Sequence, residues 1–351
     1  MDPITIDGAY GEGGGQVVRS AIALSLVTGR AVRIENIRAG RPKQGLMRQH
    51  LTAVQAAAEV GRADVEGDEI GSRALTFRPA TVKPGNYSFH VGTAGSATLV
   101  LQTVLPALLM AEAPSKIILE GGTHNPWAPP FDFLDKTFFP LVNRMGPHVR
   151  AELSRYGFYP AGGGKFTVWI KPAAALTGFD LLDRGEITSH RARAIVANLP
   201  RHIAEREVRT IAGKTNWEKR CFAVEEVTDA AGPGNIVLIE LESPHVTEVF
   251  SGFGRHGVRA ERVAADVLKE AREYEEANVP VGPHLADQLM LPLGVSAYQN
   301  VPTAGQVGGA FRTLSLSTHA RTHLDVLRQM LEIKTDVIEG DESCIVKLGS
   351  G

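Results

Sequence analysis

The chain has 351 residues, of which 43% are hydrophobic and 22% charged, close to the globular average. That length suits two domains, or one large and one small, and no run approaches the roughly eighteen apolar residues that a membrane span needs. The net charge of −2 gives no bulk reason to expect nucleic acid, and two cysteines, Cys221 and Cys344, form neither a metal motif nor a disulfide framework. The start, Met1-Asp2-Pro3-Ile4, lacks the charged and apolar regions of a signal peptide. The expectation is a cytoplasmic protein with no membrane association.

In chain order, Ile4-Thr5-Ile6-Asp7 reads as a strand that enters the glycine turn Gly11-Glu12-Gly13-Gly14-Gly15. A helix follows from Gln16 to Leu26, closed by Thr28-Gly29, and then the strand Ala31–Glu35. Backbone amides opening that helix could hold an anion. The turn fails the dinucleotide template, and Glu12 is either a Mg²⁺ ligand or a solvated turn acid. Six basic residues, Arg30, Arg33, Arg38, Arg41, Lys43 and Arg48, stand against one acid, Glu35, within nineteen residues. A solvated face and a phosphate site are the two readings of this local surplus. Next, Gln44–His50 leads into a helix on which Arg48, Gln49 and His50 could orient phosphates and hydroxyls.

The pattern then recurs about eighty residues on. Tyr87–Val91 reads as a strand, Gly92–Ser96 as a glycine turn, Ala97–Met110 as a helix and Lys116–Glu120 as a strand. A third copy is expected to be split between Lys165–Ile170 and the C-terminal region. Before it, Tyr159-Pro160-Ala161-Gly162-Gly163-Gly164 cannot serve helix or strand propensity. It suits close backbone approach or a bare bulge, and it fails the phosphate-loop spacing at Tyr159 and Phe166.

From about 184 to 278 the texture changes, with the strand Ile236–Leu241 and an amphipathic helix from Val258 to Ala277. Asn278–Pro283 looks like a return crossing. The expected fold is therefore α/β of the α+β type, with a discontinuous large domain at 1–183 and 279–351 and a small inserted domain at 184–278. In the return half, His284-Leu285-Ala286-Asp287-Gln288 opens a helix and offers a carboxylate and an amide to a ribose or base. Leu314 and Leu316 alternate as a strand into Ser317-Thr318-His319, while Leu324, Leu327 and Leu331 space as a helix leaving it. His319 at that helix start is the best nucleophile candidate, because the dipole favours bound phosphate and an uncharged imidazole. The plainer reading is that Ser317 or Thr318 caps the helix and His319 is incidental.

Together these segments closely resemble the RNA 3′-terminal phosphate cyclase family over most of the chain. The resemblance rests on Asp7-Gly8 with Gly11–Gln16, Arg38-Ala39-Gly40-Arg41, Gly45-Leu46, Gln49-His50 and Gly121-Gly122-Thr123 through Pro129-Pro130. It continues through Arg155–Gly164, His284–Gln288 and Ser317-Thr318-His319. It implies a large domain of three repeated sheet-plus-two-helix units, with a small α/β domain inserted. It also implies ATP-dependent conversion of an RNA 3′-phosphate to a 2′,3′-cyclic phosphodiester, through AMP on His319 and an RNA(3′)pp(5′)A intermediate.

By position in these motifs, the nucleotide would be lined by Gln102, Pro130, His284, Leu285, Ala286, Asp287 and Gln288. Arg19, Arg38, Arg41, Gln49 and His50 would handle phosphates or the RNA backbone, and Glu12 would hold Mg²⁺ or Mn²⁺. The partners implied are ATP and RNA with a 3′-phosphate end, and the resemblance leaves room for a homodimer. Three departures stand out. Gln44 replaces a common proline, His323 replaces a common asparagine, and the stretch from Pro292 to Phe311 looks like a lengthened loop. A non-catalytic relative of the cyclases is the alternative, against which His319 argues. An enolpyruvyl transferase is a further rival, but it would lead one to expect an early lysine, and the first here is Lys43.

Overall fold

The computed structural model describes residues 2–298 and 305–350. The first unit runs β1 (Ile4–Asp7), α1 (Gly15–Thr28), β2 (Val32–Glu35), α2 (Arg48–Gly61), β3 (Asp64–Glu66) and β4 (Leu75–Arg78). Its strands pair in the order β1-β2-β4-β3, with β1 and β2 parallel and the other pairs antiparallel. The parallel pair requires a crossover, and α1 supplies it.

A second unit repeats this plan: β5 (Asn86–His90), α3 (Ala97–Leu108), β6 (Ser115–Gly121), α4 (Phe131–Phe133), α5 (Phe139–Arg144), β7 (His148–Arg155) and β8 (Gly164–Lys171). A π-helical turn, Leu134–Phe138, joins α4 to α5. The order is again β5-β6-β8-β7 with one parallel pair. This corrects the expected repeat boundary. Lys165–Ile170 lies in β8, the last strand of the second unit, and does not open the third.

The third unit starts instead at Leu181, which bridges Phe311 in parallel. The chain then leaves to build β9 (Ser189–Ala197), α6 (His202–Ala212), β10 (Phe222–Val227), β11 (Gly234–Glu242), β12 (Thr247–Phe253) and α7 (Ala260–Ala277). These strands form their own sheet, in the order β10-β9-β11-β12, over their own apolar cluster. On return come α8 (Pro283–Tyr298), β13 (Gly309–Thr313), α9 (Thr318–Leu331), β14 (Lys334–Glu339) and β15 (Cys344–Gly349). The sheet order β13-β15-β14 completes the shared βαβαββ plan.

Regular helix occupies the start of the stretch read as a lengthened loop, since α8 continues through Pro292 to Tyr298. Residues 299–304 of that stretch lie outside the described residues. The strand read at Leu314 and Leu316 likewise ends earlier, at Thr313. Among the described residues, no helix is long and apolar enough to cross a membrane.

Helices of the three units pack on one another, α1 against α3 and α9, and α8 against α9. The alternating strands each turn one face to this core; β6 buries Ser115, Ile117 and Leu119 and leaves Lys116, Ile118 and Glu120 partly exposed. One contiguous apolar cluster therefore spans all three units.

The glycine-rich segment serves packing. Gly162, with φ +70°, would place a Cβ 2.8 Å from the Cα of Ala94, and Gly163 would place one 2.8 Å from the Cβ of Ala231. Gly157 and Gly164 face each other, and a Cβ on Gly157 would collide with the Gly121 carbonyl and the Gly164 backbone. Backbone cannot yield as a flexible side chain can, so Gly157→Ala should destabilise the fold by about 1–3 kcal/mol. Chemical denaturation measures this, and an unchanged midpoint would contradict it.

Beside this segment, the inserted sheet is tied down by Arg193 of β9. It bonds Glu240 at 3.0 Å and Glu225 at 3.2 Å and pairs closely with Asp132 of α4. Burial opposes ionisation of Asp132, but His124, 2.8 Å away, and Arg193 outweigh it and hold the carboxyl below its usual range.

Candidate active site

The first and third units meet where the first turns of α1, α8 and α9 converge. Helix α9 begins at the N-cap Ser317, whose hydroxyl accepts a hydrogen bond from the Ala320 amide at 3.1 Å. Ser317 therefore caps the helix, as one reading of this segment expected, and His319 stands in its first turn. The His319 Nδ1 lies 2.9 Å from Asp287 Oδ2 on α8. A carboxylate only accepts, so Nδ1 carries the proton and Nε2 presents its lone pair. Opposite that nitrogen, 3.7 Å away, is Glu12 Oε2.

Glu12 reaches this place because its loop is braced from the third unit. Its amide donates to Thr322 Oγ1 at 3.2 Å, while the Thr322 hydroxyl donates to the Thr318 carbonyl at 2.8 Å. Gly11, with φ +61°, lies so close to Thr322 that a Cβ there would overlap the hydroxyl. Arg41 closes the other side, pairing with Glu12 Oε1 and donating to the Glu12 carbonyl at 3.1 Å.

Adjacent to this cluster runs a cleft lined by Gln16, Arg19 and Ser20 of α1, Gln102 of α3, Asp287 and Gln288 of α8, and His323 of α9. Leu105, Pro106, Leu109, Phe138, Leu291 and Pro292 form its apolar wall. The amides of Gln102 and Gln288 are in direct contact across it.

One end of the cleft is rich in donors. Helix α1 has Gly14 as its N-cap, no side-chain cap and no acid in its first turn. Arg19 has no hydrogen-bond or ion-pair partner among the described residues. Loss of hydration lowers its pKa to about 10, so it remains a cation at neutral pH. His50, 2% exposed, accepts the Met47 amide at Nδ1 (3.1 Å), which leaves Nε2 as its N–H donor. Burial first, then the charges of Arg19 and Arg38, lower its pKa to about 3. His50 therefore works as a neutral donor. Both side chains crowd Gly15, where a Cβ would clash with His50 and stand 3.0 Å from Arg19 Nη1.

The remaining sequence candidates are spread around this centre. Arg38, at φ +56°, donates to the Lys43 carbonyl at 3.1 Å, and burial lowers its pKa. Gln49 turns toward the second unit and accepts the Ser96 amide at 3.4 Å. Pro130 caps α4 and is not part of the cleft wall, although the carbonyl of neighbouring Pro129 accepts Thr98 Oγ1 of α3 at 2.9 Å. On α8, His284 is exposed, whereas Leu285 and Ala286 are core residues at 0% and 1% exposure. The last two can offer a ligand only backbone.

Sequence reading missed Thr322, Ser20 and the apolar wall as parts of the site. Thr322 could have been flagged only by its i, i+4 spacing from Thr318, and the wall residues look like any buried helix face. Among the described residues no group of three or more His, Cys, Asp or Glu could hold a metal ion. Glu12 offers a carboxylate beside His319, which suits a hard cation that takes its other ligands from phosphates and water.

A family model described as RNA 3′-terminal phosphate cyclase matches residues 10–337. A Koribacter versatilis (strain Ellin345) protein named RNA 3′-terminal phosphate cyclase is 48% identical over 344 residues, covering 98% of this chain and 94% of its own. An Ectopseudomonas mendocina (strain ymp) protein of the same name is 45% identical over 351 residues, covering 100% of this chain and 99% of its own.

Proposed function

The chain belongs to the RNA 3′-terminal phosphate cyclase family, and from that premise we propose that it closes RNA 3′-phosphates to 2′,3′-cyclic phosphodiesters with ATP, through AMP carried on His319. One observation supports this reading above the others. The imidazole at the start of α9 is oriented by Asp287 at 2.9 Å, with Nε2 free and turned toward Glu12.

In the first step the Nε2 lone pair attacks the α-phosphorus of ATP, and the bond to the bridging oxygen breaks to release pyrophosphate. The adduct makes the ring an imidazolium, whose charge the Asp287 carboxylate balances through Nδ1–H. An oxygen of the RNA 3′-phosphate then attacks the same phosphorus. The P–N bond breaks, its electrons return to His319, and RNA(3′)pp(5′)A forms. Finally the neighbouring 2′-hydroxyl attacks the RNA phosphorus, losing its proton as AMP departs. A bare phosphate monoester is a poor electrophile, and AMP supplies the leaving group. The need for a 2′-hydroxyl restricts the last step to RNA.

Arg19, the His50 Nε2–H and the first amides of α1 form the anion site, assigned here to the RNA terminal phosphate, with Arg38, Arg41 and Gln49 flanking it. Gln102, Asp287 and Gln288, which line the cleft, would face the nucleotide. Glu12 would hold Mg²⁺ or Mn²⁺, and that ion would screen the triphosphate charge during attack.

Incubation with ATP labelled at the α-phosphate tests the proposal. An acid-labile, base-stable adduct should form and should be discharged by an oligoribonucleotide with a 3′-phosphate, leaving a cyclic end. Absence of label would favour a non-catalytic RNA-binding protein of the same fold. In the same assay, Arg19→Met should slow discharge about 10- to 100-fold while slowing adduct formation less. Equal slowing of both would move the anion site onto the ATP phosphates.

A further inference from the structure

The same cleft also holds acceptors that have no partner. His323, 4% exposed, places Nδ1 3.1 Å from the Asp287 carbonyl oxygen. A carbonyl only accepts, so Nδ1 carries the proton and Nε2 is a bare acceptor. Burial, aided by the neighbouring charges of His319 and Arg19, lowers the His323 pKa to about 4 against the opposing pull of Asp287, so the ring is neutral at physiological pH. Its Nε2 is buried with no partner, as are Asp287 Oδ1 and Gln16 Oε1. All three residues line the cleft. Buried polar atoms are normally paired, and three acceptors without a donor on residues lining one cleft call for a ligand that supplies donors.

A nucleotide has two kinds of donor, its ribose hydroxyls and an exocyclic amine; its phosphates have none. We propose that His323, through Nε2, accepts a hydrogen bond from the sugar hydroxyl or exocyclic amine of the bound nucleotide, and so sets which nucleotides this chain accepts. The proposal rests on the nucleotide-binding reading of the cleft. The ring, fixed by the Asp287 carbonyl, can only accept at Nε2.

Equilibrium binding to the whole protein by calorimetry tests this with ATP, 2′-deoxy-ATP, 3′-deoxy-ATP and purine riboside triphosphate, which lacks the amine. Wild-type protein should bind one analogue about 10- to 100-fold more weakly than ATP, because the lost donor strands a buried acceptor. Loss with a deoxy compound identifies the hydroxyl, and loss with purine riboside triphosphate identifies the amine. His323→Phe should reduce the discrimination to within about threefold, and His323→Asn, which keeps an acceptor, should retain part of it. Equal binding of all four nucleotides by the wild type, a comparison that needs no variant, would overturn the proposal. So would undiminished discrimination in His323→Phe. Selective binding without labelling of His319 would overturn the adenylylation chemistry and leave this inference standing; failure to bind ATP would overturn both.

Discussion

His319→Ala should abolish the covalent adduct, lowering the rate of label transfer from ATP at least about 10³-fold while leaving the fold intact. The side chain is 35% exposed, so its loss opens no cavity of consequence. No neighbour can replace it. His323 presents only a buried Nε2, and the free nitrogen of His50 carries a proton at the far end of the cleft. Label that persisted in His319→Ala at even a few per cent of the wild-type level would overturn the assignment. Melting curves for the two proteins should coincide, which separates loss of chemistry from loss of structure.

Asp287→Asn should be the next most damaging change, slowing adduct formation about 10²- to 10⁴-fold. In the proposed mechanism the carboxylate fixes the His319 tautomer and would balance the positive charge that an AMP adduct places on the ring. Asparagine keeps the shape but not the charge, and it can turn an N–H toward Nδ1 and favour the wrong tautomer. The loss should fall on the rate of adduct formation more than on ATP affinity, since the attacked phosphorus meets Nε2, not Asp287. Pre-steady-state labelling at several ATP concentrations separates the two effects. A variant that labels within about threefold of wild type would show that Asp287 orients nothing essential.

The repeated strand–turn–helix–strand order of the first two units was legible because each rests on local signals: alternating apolar residues, a glycine turn and a helix start. The third unit was misplaced for a physical reason. Its first strand is a short bridge at Leu181, too brief for periodicity, and an entire sheet intervenes before α8. β8 was taken in its place, because an alternating strand after glycines looks the same whether it closes one unit or opens the next. The loop expected at 292 onward was in part helix, since Pro292 sits within α8, whose Leu289, Met290, Leu291 and Leu293 are all buried.

Within the site, the sequence by itself determined the residue types and their chemistry: a histidine at a helix start, an acid among glycines, basic residues far outnumbering the acids near them, and motifs specific enough to identify the family. It also determined that Pro160–Gly164 holds no group able to attack or bind metal. Only the tertiary structure decided which atoms meet. Asp287 and His319 are 32 positions apart, and Glu12 reaches Thr322 across 310. No local pattern encodes such pairs, because they arise where the starts of α1, α8 and α9 converge. The same convergence left the His323 Nε2 buried without a partner. Unpaired buried groups are a property of packing, and sequence shows them only once every neighbour is in place.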